Sequence, residues 1–248
     1  MEKLVQQFPP HREADAHHGH GEHAHHEPGF WEKYIFSTDH KIIGIQYGLT
    51  SLCFMLFGFG LMILMRWQIA HPGIPVPFIG PLLEKVLGSV AAHGAISPEL
   101  YNSFGAMHGT IMVFLGVVPL AFAAFGNYVV PLMIGAPDMT FPRINMASYH
   151  AFFIGGIIMF VSFFIPGGAA QAGWTSYSPL ATTIPTHGQL FWIVGMVFLI
   201  SSSLLGAVNF IAPIPTLSST LAKRTKQSLK PNFAKKLSSP SCPDTPTK

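Results

Sequence analysis

The chain has 248 residues, 49% of them hydrophobic and only 10% charged, with a mean hydropathy of +0.40. A soluble domain carries roughly 25% charged residues, so this composition excludes an ordinary soluble globule and points to an integral membrane protein. The formal net charge of +3 is too small to suggest a nucleic-acid partner. Two cysteines, Cys53 in an apolar run and Cys242 in a polar stretch, offer neither a disulfide framework nor a thiolate metal site.

Residues 1–30 are polar and crowded with His11, His17, His18, His20, His23, His25 and His26. Nothing there can bury a core, so disorder is expected; the tract reads as a solvated low-complexity tail or as a metal-binding one. No signal peptide is expected, because this N-terminus is acidic and His-rich and the first apolar run exceeds a signal core. Residues 31–41 mix aromatics with charges, as an interfacial lead-in does.

Four apolar runs follow, at about 42–65, 104–134, 149–165 and 188–211. Each is long enough to cross a ~30 Å hydrocarbon core as a helix. The first lies between Lys41 and Arg66 and carries Gly44 and Gly48 four apart, with Gly58 and Gly60 later; small residues let helices approach closely in lipid. Residues 67–102, rich in Pro and Gly, are expected to form a loop. The second run contains Pro119 and Pro131, kinks that neighbouring helices absorb. An uncharged loop spans 167–185, and from residue 213 a basic Ser/Pro-rich stretch predicts disorder to the end of the chain. With four spans both termini share a side. That side, with the Arg143 loop, holds twelve of the fourteen basic residues, leaving only Arg66 and Lys85 opposite. The positive-inside rule therefore puts both termini in the cytoplasm, His108 near the outer face and Asp138 at the inner one.

His108 sits near the start of the second run, which holds no charged residue. An imidazole in hydrocarbon needs a partner. Metal or haem iron is one, and a hydrogen bond within the bundle is another. Arg66 at the end of the first run reads as an arginine snorkelling to the interface. Asp138 follows Ala-Pro and suits a turn. Ser148, Ser202 and Ser203 can bond back to helix carbonyls. Trp174 fits an interfacial belt. His40, His71, His93, His150 and His187 read as surface or loop residues.

Four stretches carry a resemblance. They are Phe36-Ser-Thr-Asp-His-Lys-Ile-Ile-Gly, Gly126-Asn-Tyr-Val-Val-Pro-Leu-Met-Ile-Gly-Ala-Pro-Asp-Met-Thr-Phe-Pro-Arg, Gly173-Trp-Thr-Ser-Tyr and Leu205-Gly-Ala-Val-Asn-Phe-Ile. Over residues 31–212 the chain closely resembles subunit I of the haem–copper oxidases. That family has about twelve transmembrane helices, a low-spin haem and a haem–copper centre that reduces oxygen. The resemblance implies an all-α integral membrane fold matching the first four of those helices. The copper ligands, the high-spin haem ligand and the second low-spin haem ligand have no counterpart here, so copper and a second haem are expected for the full-length family but not for this chain.

By the same resemblance, His108 is an axial ligand of a low-spin, a-type haem, and a neutral imidazole suits iron. Arg66 would meet that haem's formyl group and Trp174 would lie near its propionates. Gln68 stands where the family usually has an acidic ligand of a peripheral cation. Asp138 would be the entrance of a proton-uptake path, with Asn127, Asn145, Ser148, Ser202, Ser203 and Asn209 along it. Neutral amides and hydroxyls order water there without trapping a charge. The implied partners are other oxidase subunits, cytochrome c and membrane lipid, in a bacterial-type inner membrane. The implied activity is electron transfer from cytochrome c to oxygen with proton pumping, and the chain, looking truncated, is expected to be inactive alone. Two other readings stay open: a haem-binding electron-transfer module held by His108 and His187, and a frameshifted remnant.

Overall fold

The computed structural model describes residues 29–136, 138–182 and 187–212. Of the expected disorder over residues 1–30 and 213–248, residues 1–28 and 213–248 lie outside the described residues, while Phe30 begins a helix. All regular structure among the described residues is helical: α1 (Phe30–Tyr34), α2 (His40–Ala70), α3 (Gly80–Leu87), α4 (Pro98–Ile134), α5 (Pro142–Phe164) and α6 (Gly188–Ile211). Helices α2, α4, α5 and α6, of 31, 37, 23 and 24 residues, are long and apolar enough to cross a membrane. The four expected spans are therefore present.

Their starts follow capping chemistry that a hydropathy reading overlooks. Asp39 accepts the Lys41 amide hydrogen at 2.8 Å, so α2 begins at His40, two residues before the apolar run. Ser97 accepts from the Leu100 amide at 3.2 Å and Pro98 occupies the first turn, so α4 begins six residues before the expected span. Pro142 likewise opens α5 seven residues early. The expected loop over 67–102 is corrected in the same way. Its first residues continue α2, and its middle forms α3 and a 3₁₀ turn over Gly88–Gly94.

Helix α4 is not uniform. Between Ile111 and Ala124 its turns widen to an i→i+5 pattern, seen where the Val118 amide reaches the Val113 carbonyl. Pro119 lies in this stretch; it has no N–H and cannot complete a normal turn. At the far end Gly135 takes φ 67°, the left-handed conformation that closes a helix, and the Ala136 amide returns to the Pro131 carbonyl at 2.9 Å.

Small residues set the packing. A Cβ on Gly44 would lie 3.1 Å from the Ala124 carbonyl oxygen, and one on Gly48 would lie 3.6 Å from the Ala124 Cβ, so this pair seats α2 on α4. Gly155 and Gly195 do the same for α5 and α6. Gly188 lies so close to the Gly168–Ala169 backbone that no Cβ would fit. The buried core runs through Ile43, Tyr47, Phe54, Phe104, Leu115, Phe152 and Leu199. Outside it, Leu49, Leu56, Phe122, Met133 and Leu190 stand exposed, the outward apolar surface that a bilayer solvates.

Candidate functional site

His108 is carried on α4 one turn past Phe104, half-buried against α2. Its Nδ1 lies 2.9 Å from the Gly58 carbonyl oxygen. A carbonyl only accepts, so Nδ1 carries the proton and donates. The Nε2 lone pair is left free of any hydrogen bond among the described residues. A Cβ on Gly58 would stand 3.0 Å from the Met112 sulfur, so the glycine eases the close approach of α2 and α4 here. One ring nitrogen held by a backbone carbonyl, the other open, is the arrangement seen in metal-ligating histidines. The donor therefore fits a haem iron. It is a single donor, and no group of three or more His, Cys, Asp or Glu residues that could hold a metal occurs among the described residues.

The surroundings fit a large planar group in part. Trp174 is exposed on the loop after α5, its ring 6.2 Å from Phe114 of α4, and a Cβ on Gly109 would touch it at 3.9 Å. Trp174 thus lies beside the residue following His108. Arg66 is exposed near the end of α2 and forms no ion pair among the described residues. His187 is exposed immediately before α6, and no contact joins it to His108.

The second constellation is a buried polar column. Ser202 donates to the Ser148 carbonyl at 2.7 Å, and Ser148 donates to the Asn145 carbonyl at 2.6 Å. The Tyr47 hydroxyl joins both serines, at 3.0 Å to Ser148 Oγ and 3.1 Å to Ser202 Oγ. Three helices are thereby tied at one level. Asn127 donates to the Ala123 carbonyl at 2.8 Å, and Asn209 accepts from the Phe141 amide at 3.0 Å. Asn127 Oδ1, both amide atoms of Asn145 and Asn209 Nδ2 are buried without a protein partner among the described residues. A cavity of about 300 Å³ runs beside them, with Tyr47, Asn127, Ser148, Ser202 and Ser203 as its polar lining. Asp138 is half-buried in the loop between α4 and α5, its carboxylate accepting the Met139 amide at 2.7 Å.

The structure thus brings Asn127, Ser148, Ser202 and Ser203 to one cavity. Asn145 is joined to it through Ser148, and Asn209 lies at the Asp138 loop. Tyr47 was missed by sequence reasoning; its only signal was a hydroxyl inside the first apolar run, within two turns of its start. Two histidines are corrected. His40, expected at the surface, is 2% exposed, and its Nδ1 lies 2.9 Å from the Asn127 carbonyl. His150 is half-buried inside α5, bonded to the Met146 carbonyl and stacked under Phe36. His40 opens α2 and packs on α4, and His150 lies within α5. His71, His93 and His187 are exposed as expected.

The family described as Cytochrome C and Quinol oxidase polypeptide I matches residues 42–232. The chain is 42% identical over 185 residues to "Cytochrome c oxidase subunit 1" of Thermostichus vulcanus, covering 75% of this chain and 30% of that protein. It is 41% identical over 192 residues to the protein of the same name from Synechocystis sp., covering 77% and 31%. A "Probable cytochrome c oxidase subunit 1-alpha" of Streptomyces avermitilis is 39% identical over 184 residues, covering 73% and 28%. The chain spans about 30% of the length of the curated relatives it matches. A match this long, on a chain with four membrane-length helices, shows that the chain belongs to the cytochrome c and quinol oxidase polypeptide I family.

Proposed function

We propose that this chain supplies the first four helices of a haem–copper oxidase subunit I, with one low-spin haem ligand and the proton-uptake path. The observation that carries the reading is the Nδ1–Gly58 carbonyl bond of His108, which leaves Nε2 available to iron. Arg66 and Trp174 would meet the edges of that haem. When bound, the haem supplies one-electron transfer. The chain's own residues orient the ligand, keep the helices closed around it and hold protons on a separate route. Tyr47, Ser148 and Ser202 already form a hydrogen-bonded set. The unpaired amide atoms of Asn127, Asn145 and Asn209 need water, which completes a path from Asp138 inward.

In the assembled oxidase these parts would serve electron transfer from cytochrome c to oxygen, coupled to proton pumping, with other subunits as partners. The membrane would be a bacterial-type inner membrane with both termini cytoplasmic. Reporter fusions at Gly29 and Ser239 test that orientation, and an external signal from either reverses it. The haem assignment is tested by expression with excess haem and absorption spectroscopy. His108→Ala should abolish any low-spin spectrum, and His187→Ala should leave it intact. A low-spin spectrum that survives His108→Ala overturns the assignment.

A further inference from the structure

An apolar slot lies on the side of the bundle away from the polar column. Its first part, a cleft of about 380 Å³ between α2 and α5, is lined by Phe54, Phe57, Phe153 and Phe160. Phe57 and Phe160 also line a second cleft, about 180 Å³, whose outer wall is Leu82, Leu83 and Val86 of α3. That cleft in turn shares Val86, Leu87, Phe163 and Phe164 with a third of about 340 Å³. The third is different in kind, because Lys85 and the turn through Ile165 and Gly167 line it. The three open clefts thus run side by side along shared walls, two of them apolar and the third carrying a cation.

Helix α3 explains why the polarity changes there. Leu82, Leu83, Val86 and Leu87 recur at helical spacing and face the slot, while Glu84 and Lys85 stay exposed. This is the pattern of a helix lying in the interfacial plane. Phe78, fully exposed in the loop just before α3, and Ile79 add apolar surface at the same level. Lys85 makes no ion pair among the described residues, so its ammonium is available to a ligand.

We propose that this slot binds one phospholipid with an anionic head group, its phosphate at Lys85 and an acyl chain along the Phe57–Phe160 cleft. Two observations choose a lipid over a protein helix. A helix with its side chains is ~10 Å across, and a 180 Å³ cleft between packed side chains does not hold one. The Lys85 charge in the third cleft matches a phosphate and offers nothing to an apolar helix.

The test is native mass spectrometry of the full chain released from micelles doped with phosphatidylglycerol, phosphatidylcholine or diacylglycerol. One phosphatidylglycerol should be retained, in preference to the other two, and inorganic phosphate should not displace it. Lys85→Gln should weaken retention about fivefold, the effect of one interfacial cation. Leu82→Trp, at an exposed position on the wall, should fill the mouth and abolish retention without disturbing the core. Equal retention of diacylglycerol, displacement by free phosphate, a lipid-free dimer, or retention unchanged in both variants overturns the proposal. None of these outcomes depends on the haem assignment, which the spectrum of His108 variants reads separately.

Discussion

The polar column and the His108 end are built on opposite principles. In the column, Tyr47, Ser148 and Ser202 come from α2, α5 and α6 and satisfy one another within the four helices. At His108, two helices cooperate only to hold one ring, Nδ1 on the Gly58 carbonyl, and the other nitrogen is left open. The column is internally bonded, with Asn127 Oδ1, both Asn145 amide atoms and Asn209 Nδ2 left without a protein partner among the described residues. The Nε2 of this histidine meets no hydrogen-bond partner among the described residues. The difference follows from chemistry. On the proposed reading, a proton path can be assembled from neutral groups already present, whereas an axial ligand is of use only when another group supplies the orbital that accepts its lone pair.

Four substitutions separate the two regions. Gly58→Leu should have the largest effect. It forces a side chain against Met112 and moves the carbonyl that orients His108. Loss of such an orienting partner costs about 10- to 100-fold in metal-site affinity, measurable by haem titration, while the Tyr47 network stays in place. A titration unchanged by Gly58→Leu would remove the orienting role.

Tyr47→Phe removes the two hydroxyl contacts to Ser148 and Ser202. Membrane hydrogen bonds average about 0.6 kcal/mol each, so the loss should be about 1 kcal/mol in denaturant unfolding in micelles. The haem spectrum should not move. A spectral change would show that the two regions are coupled.

Asn145→Leu goes the other way. Both side-chain amide atoms of Asn145 are buried without protein partners, a state kept for wetting rather than for stability. Replacing them with an apolar group of similar size should stabilise the fold by about 1 kcal/mol and slow proton uptake when the helices stand in a complete oxidase. Destabilisation would mean that the amide is bonded more fully than its neighbours allow.

Ser203→Ala should have the smallest effect. Ser203 lines the cavity but is exposed overall and forms no hydrogen bond in the column. Its stability change should stay within about 0.5 kcal/mol. A larger change would enlarge the bonded column by one residue.

Hydropathy and charge alone were enough for the number of spans, because a helix that must satisfy its backbone in lipid leaves an apolar run of the necessary length. They also made His108 conspicuous, since an ionisable ring in such a run demands a partner. The caps were legible too, but only as chemistry: Asp39, Ser97 and Pro142 mark starts that hydropathy places late. Tyr47 and His40 were not legible. Each sits on a helix that is apolar on every side, and no periodicity in such a helix says which face turns inward. That decision is made by Gly44 and Gly48 seating on Ala124 and by Gly155 meeting Gly195, contacts between residues far apart in the chain. Residue types thus declared which groups needed partners, and the close approach of backbones at glycine chose the partners.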